Sequence, residues 1–150
     1  MIHDIIKTEA EVQGLRIMAI DLGDVRTGLA ISDPLGMICG EAWTIQEWNT
    51  ERLAEIVCQT AEEKDVSTIV LGLPKNMDGT EGIRAEKSRS FCALLREKTG
   101  TPVVMWDERR STIEAHQILH QNGKREKKHR KTVDAVAASL ILESYLGSLT

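Results

Sequence analysis

The stretch Leu15-Arg16-Ile17-Met18-Ala19-Ile20-Asp21-Leu22-Gly23-Asp24-Val25-Arg26-Thr27-Gly28-Leu29-Ala30-Ile31-Ser32 decides how the rest of the chain is read. Its first part is an apolar run, bounded by Gly14 and Gly23 and closed by an acid, which is the pattern of a buried strand. Thr27 to Ser32 returns after a turn signal, and roughly Gly36 to Ile45 follows another. Together they predict three antiparallel strands in a meander, with Asp21 at the carboxyl end of the first.

Beyond the meander the period changes. Asn49 or Thr50 can cap a helix whose Leu53, Ile56, Val57 and Ala61 recur at helical spacing. Ser67 to Leu73 is a continuous apolar strand stopped by Pro74, and a helix is expected from about Glu81 to Lys98 with Phe91, Leu94 and Leu95 inward. Gly100 and Pro102 end it. Pro102 to Trp106 reads as another short strand. Ser111 and Glu114 make a capping box for a helix carrying Ala115, Ile118 and Leu119 and closed by Gly123. A last helix, from about Thr132 to Leu146, would bury Val133, Val136, Ala137 and Leu140. The order β-β-β-α-β-α-β-α-α predicts an α/β fold: a mixed five-stranded sheet, three antiparallel strands and then alternating α and β, flanked by helices. Ligand sites in such sheets lie at the carboxyl ends of the strands.

With 150 residues the chain suits one domain, read as residues 15–150 behind an N-terminal extension, 1–14, whose role is not legible. No repeat, no signal-peptide core and no run of roughly 20 apolar residues is present. Cys39, Cys58 and Cys92 are odd in number and lack a CxxC spacing, so they are expected to be reduced, mostly buried thiols of a cytoplasmic protein. The net charge of −4 offers no global field for a polyanion, although a carboxylate-lined metal site would itself contribute negative charge.

Four acids fall at the ends that matter. Asp21 closes the first strand, Asp107 and Glu108 close the last, and Asp134 stands in the first turn of the C-terminal helix, one residue off its apolar stripe. Each has a plainer reading: a turn former, a polar strand end, an acid favoured by a helix N-terminus at about 0.3–1 kcal/mol. Jointly they predict an oxygen-ligand site for Mg2+ or Mn2+, held by Asp21, Glu108 and Asp134, suited to phosphodiester hydrolysis. Neighbours on a strand point to opposite sides, so one of Asp107 and Glu108 is expected to face the metal, with Glu108 preferred.

Cations flank these acids. Arg26 is read as a phosphate contact or as a partner of Asp24 or Asp33. Arg109 and the run Lys124, Arg125, Lys127, Lys128, Arg130 and Lys131 could guide a nucleic-acid backbone without sequence specificity, against the plainer reading of a solvated charged loop. Gly23 and Gly28 suit a tight connection or a close phosphate approach, but the segment is neither a Walker A loop nor a GxGxxG fingerprint. His116 and His120 lack the Glu of HExxH and read as surface residues. Trp43, Trp48 and Trp106 read as packing residues rather than base-stacking platforms.

The segments Asp21-Leu22-Gly23-x-x-Arg26-x-Gly28-x-Ala30-x-Ser32-Asp33, Gly72-Leu73-Pro74-x-x-Met77-Asp78-Gly79, Asp107-Glu108-Arg109-x-Ser111-Thr112-x-x-Ala115 and Lys131-x-x-Asp134-Ala135-x-Ala137-Ala138 resemble, in order, the four motifs of the YqgF family, the RuvX-type resolvase-like proteins. The likeness runs from about Arg16 to Leu146. It implies an RNase H-like fold and a nuclease that matures the 5′ end of precursor 16S ribosomal RNA, with Asp21, the Asp107–Glu108 pair and Asp134 as catalytic acids. The family is also similar to RuvC-type Holliday-junction resolvases, but Lys131 stands where those enzymes carry another acid. The expected partner is therefore nucleic acid, an RNA precursor or branched DNA, bound by a monomer or homodimer. A non-catalytic RNA-binding assembly factor is the alternative. Nucleotide binding of the actin-like kind is disfavoured, because those folds duplicate the domain.

Overall fold

A computed structural model describes residues 15–110 and 126–149, and side chains in the last helix from Val133 onward. Five strands, β1 (Arg16–Asp21), β2 (Arg26–Ser32), β3 (Cys39–Gln46), β4 (Val66–Leu73) and β5 (Val103–Asp107), form one sheet in the order β3-β2-β1-β4-β5. The first three are antiparallel, β4 runs parallel to β1, and β5 runs parallel to β4. The carboxyl ends of β1, β4 and β5 thus share one edge. Helices α1 (Thr50–Glu63), α2 (Ile83–Lys98) and α3 (Glu126–Ser148), with a 3-10 turn at Glu108–Arg110, complete the described elements. None of these helices is long and apolar enough to cross a membrane.

Strand parity divides the core. Met18, Ile20, Leu29, Ile31, Ile69 and Leu71 meet Leu53 and Val57 of α1 and Phe91 and Leu95 of α2 on one face. Ile17, Ala19, Ala30 and Val70 meet Ala138, Ile141, Leu142 and Leu146 of α3 on the other. Because successive strand residues alternate faces, Asp21, Gly28, Gly72 and Trp106 fall on the α3 side. At Gly28 a Cβ would lie 2.1 Å from the backbone oxygen of Asp134, so α3 rests directly on the strand there. The glycine expected to admit a phosphate or a tight turn instead admits a helix. The far end of α3 is pinned by Trp106, whose indole N–H donates to Ser144 Oγ at 3.1 Å and whose ring meets Tyr145 edge-on at 5.3 Å.

The expected boundaries hold with local exceptions. Asn49 caps α1, accepting from the Arg52 backbone N–H at 3.0 Å. β3 starts at Cys39 rather than near Gly36, because Asp33 Oδ1 accepts from the N–H groups of Met37 and Ile38 and Gly36 turns with φ +68°. α2 begins at Ile83 without a side-chain cap. α3 begins at Glu126, not Thr132: no Gly or Pro interrupts the cationic run, so residues 126–131 are helical. Its buried face also lies lower than expected. Val133, Val136 and Ala137 are half-buried, while Ala138, Leu140, Ile141, Leu142 and Leu146 are buried where the helix meets the small residues of the sheet. Trp48 is 76% exposed and is no packing residue. The cysteines are free, with Cys92 buried and Cys39 and Cys58 half-buried. The expected helix from Ser111 to Gly123, with His116 and His120, lies outside the described residues, as does the segment 1–14.

A side chain at position 28 must push α3 off the sheet. Gly28→Ala is expected to destabilise the protein by about 1–3 kcal/mol or more in urea unfolding, the range for overpacking a tight core. Unchanged stability would show that α3 is not held at this distance.

Candidate active site

The β1 end carries Asp21 into the α3 side of the sheet, opposite Gly28 in the β1–β2 register. One strand further, Ile20 pairs with Leu71, which sets Asp21 beside Gly72. Glu108 follows β5 with the parity of Trp106, and its side chain lies over Gly72: a Cβ there would be 3.0 Å from Glu108 Cγ and 2.8 Å from Ile141 Cδ1. Gly72 therefore leaves the space that the Glu108 carboxyl occupies. Asp21 and Glu108 share a hydrogen bond, which between two carboxyls requires a proton. Burial first, then the charge and hydrogen bond of Glu108, push the Asp21 carboxyl up to about 8, while Arg84 opposes the rise and Asp134 adds to it.

Asp134 reaches the same region from the helix. Burial raises its pKa and Arg26 counters that. The Arg26 Nε stands 3.5 Å from Asp134 Oδ2, too long for a charge-assisted hydrogen bond, and this oxygen is buried with no hydrogen-bond partner among the described residues. Arg26 thus meets neither Asp24 nor Asp33: Lys87 holds Asp24 at 3.0 Å, and Asp33 caps its own turn.

Asp107, of opposite parity, turns away from this pair. Its carboxylate accepts from Arg109 Nη2 at 2.6 Å and from the Arg109 backbone N–H at 2.9 Å, which hold its pKa below the usual range. Arg109 Nη1 also reaches the Met77 carbonyl at 3.4 Å, tying the 3-10 turn to the loop after β4. Arg109 is therefore engaged internally, and the clasp around Glu108 fixes that residue's direction. Of the cationic run, Lys127, Lys128, Arg130 and Lys131 lie in the opening turns of α3, and Lys124 and Arg125 lie outside the described residues.

The four acids are thus brought together selectively: Asp21 and Glu108 in contact, Asp134 close enough for its charge to act on Asp21, Asp107 apart. Among the described residues, no three His, Cys, Asp or Glu side chains close into a ready cage for an ion. The donor set nevertheless fits a hard divalent cation. It offers desolvated carboxyl oxygens, one without a hydrogen-bond partner among the described residues, and a carboxyl pair that holds a proton where a cation would serve. Arg84, near enough to Asp21 to lower its pKa, was not singled out from the sequence. The signal was a cation in a first helical turn, where the helix dipole disfavours one.

In metal-free protein the Asp21 proton sets a pH dependence. Because its pKa is raised above the ordinary 3.8 in the fold, stability is full below that value and declines as pH rises toward about 8. Thermal unfolding in EDTA should show Asp21→Asn with a higher Tm than the native chain at pH 8, and little gain at pH 4. Parallel pH profiles for the two proteins would refute the shared proton.

Residues 15–148 match the family model described as RuvX: Holliday junction resolvase. A protein of Clostridium acetobutylicum named "Putative pre-16S rRNA nuclease" is 41% identical over 135 residues, covering 90% of this chain and 100% of the relative. One of the same name from Halothermothrix orenii is 44% identical over 132 residues, covering 88% and 94%. Among solved structures, T. thermophilus RuvC in complex with Holliday junction substrate aligns with TM-score 0.56 at 12% identity, over 90% of this chain and 96% of that one. The fowlpox virus Holliday junction resolvase aligns with TM-score 0.54 at 17% identity, over 90% and 99%. At those identities the structures speak to the fold alone, and they bear out the RNase H-like mixed sheet.

Proposed function

Since the chain belongs to the RuvX family, we propose that it is a nuclease that hydrolyses phosphodiester bonds of precursor 16S ribosomal RNA near the 5′ end. The observation that carries this reading is the carboxyl group at the sheet edge: Asp21 hydrogen-bonded to Glu108, with a buried Asp134 oxygen that has no hydrogen-bond partner among the described residues. Asp21, Glu108 and Asp134 would hold Mg2+ or Mn2+. Such an ion supplies positive charge against the phosphoryl oxygens and acidifies water.

The chain's own residues do the rest. Asp21, raised by burial and by the neighbouring Glu108 in the metal-free protein, would give up its proton when a cation is bound. Arg26 faces Asp134 and limits its rise in pKa. The Asp107–Arg109 clasp positions Glu108 without touching the reacting atoms. Polyanion guidance falls to Lys127, Lys128, Arg130 and Lys131 in the α3 turns ahead of Asp134, together with Lys124 and Arg125. The three free cysteines support a reducing, cytoplasmic setting.

A second reading, resolution of a four-way DNA junction, draws on the description of the family model. Symmetric cleavage there needs two active sites and hence a dimer. Purified protein with Mn2+ or Mg2+ should shorten a precursor RNA, and Asp21→Asn, Glu108→Gln and Asp134→Asn should each lower the rate about a hundredfold or more. Asp107→Asn should cost about tenfold, the scale of losing a supporting partner. Wild-type rates from the Asp21 and Asp134 variants would remove the assigned site. Cleavage of junctions with RNA left intact would replace the first reading by the second.

A further inference from the structure

Beside the acid pair, on the α1/α2 side of the β1–β2 turn, opens a cleft of about 1160 Å³ whose walls include Leu22, Trp48, Arg84 and Phe91. It exceeds the roughly 300–1,000 Å³ of a small-molecule pocket. We propose that this cleft receives an unpaired nucleotide of the nucleic-acid strand, its base stacked on Trp48 and its phosphate on Arg84. This inference rests on the nuclease reading and names the form of substrate that the site takes.

Trp48 is an exposed aromatic on a fixed support. The Glu47 N–H donates to the Val25 carbonyl at 2.8 Å, and the Asn49 N–H donates to Glu47 Oε2 at 3.2 Å while Asn49 caps α1. Backbone is therefore held on both sides of a ring that is 76% exposed. Trp43 and Trp106, by contrast, pack against the two cores. Ile83, 72% exposed, lines the same cleft. A flat π-face held in place is what base stacking uses, and it is tolerant of sequence.

Charge selects the occupant and its geometry. Lys87 is spent on Asp24 at 3.0 Å, and Arg52 faces Glu47 at 3.8 Å. Arg84 has no hydrogen bond or ion pair among the described residues, and its field reaches Asp21. A guanidinium left open between the acid pair and the cleft suits one phosphate of a strand passing from one to the other. Asp24, Glu47, Glu86 and Glu97 also line the cleft, outnumbering Arg84 and Lys87, so it is no continuous cationic rail for a duplex backbone. Stacking plus a single phosphate contact is the mode that fits both signs of charge.

The test is binding in EDTA, so that it does not depend on cleavage. Short oligoadenylate and oligodeoxyadenylate strands should quench the tryptophan fluorescence of the full chain, while a blunt duplex should not. By anisotropy of a labelled strand, Trp48→Ala should bind about tenfold more weakly and Trp48→Phe should retain most of the affinity. Arg84→Ala should weaken binding and reduce the slope of log affinity against log salt by about one. Quenching by either strand type supports the site and tells whether the 2′-hydroxyl matters. Equal strand binding by native and Trp48→Ala protein, or quenching by a lysine-rich peptide and by neither strand, overturns it. Failure of the nuclease reading is seen separately, as absent cleavage with Mn2+ and Mg2+ or full activity in Asp21→Asn.

Discussion

Positions 28 and 72 have no Cβ, and the atoms that would clash with one are the Asp134 backbone oxygen, the Glu108 side chain and Ile141. This close seating of α3 on the α3 face of the sheet is the constraint from which the site follows. It brings a helix-borne acid down beside a strand-borne one, and it leaves a pocket over β4 into which Glu108 folds. It also withdraws both carboxyls partly from water, and burial is the leading cause of the rise in pKa at Asp21 and Asp134. Seating the helix and assembling the acids are one event.

The arrangement sets local stability against function. Two carboxyls in hydrogen-bonded contact and a third whose buried oxygen accepts no hydrogen bond from the described residues are unfavourable in a folded protein without a cation. The remainder of the fold is made to withstand this. Apolar cores on both faces of the sheet, the Trp106–Ser144 hydrogen bond and the Trp106–Tyr145 ring contact hold α3 in place. The Asp107–Arg109 clasp fixes the turn that carries Glu108. Strain gathered at one place and supported from elsewhere is the usual mark of a functional site.

The two faces of the sheet divide the labour. The α3 face gathers the acids, whereas the α1/α2 face carries the larger core and opens the cleft in which Trp48 and Arg84 stand. The turn from Leu22 to Asp24 joins the two sides, so a strand lying across the sheet edge would meet both. Lys75 in the loop after β4 and Arg109 in the 3-10 turn after β5 are drawn to Glu81 and Asp107.

How much of this was legible follows from the range of each interaction. Strand and helix identities were readable because they depend on local periodicity: the apolar run ending at Asp21, Asn49 before its helix, Pro74 after β4. Alternation at the end of β5 was enough to expect Asp107 and Glu108 to point apart, since parity is local too. The start of β3 was misplaced because the Asp33 side chain, not a run of residue types, sets the turn. Trp48 was misread because exposure depends on what other segments cover. The roles of Gly28 and Gly72 and the partner of Arg26 were illegible for the same reason: each is decided by segments distant in sequence, α3 for Gly28 and Arg26, and α3 together with the Glu108 turn for Gly72. The amino-acid order by itself determined which of the described elements form, in what order, and which acids end them. Only the tertiary structure decided how near α3 lies, and therefore which carboxyls lose water and share a proton, because desolvation and charge coupling depend on distance through space and not on separation along the chain.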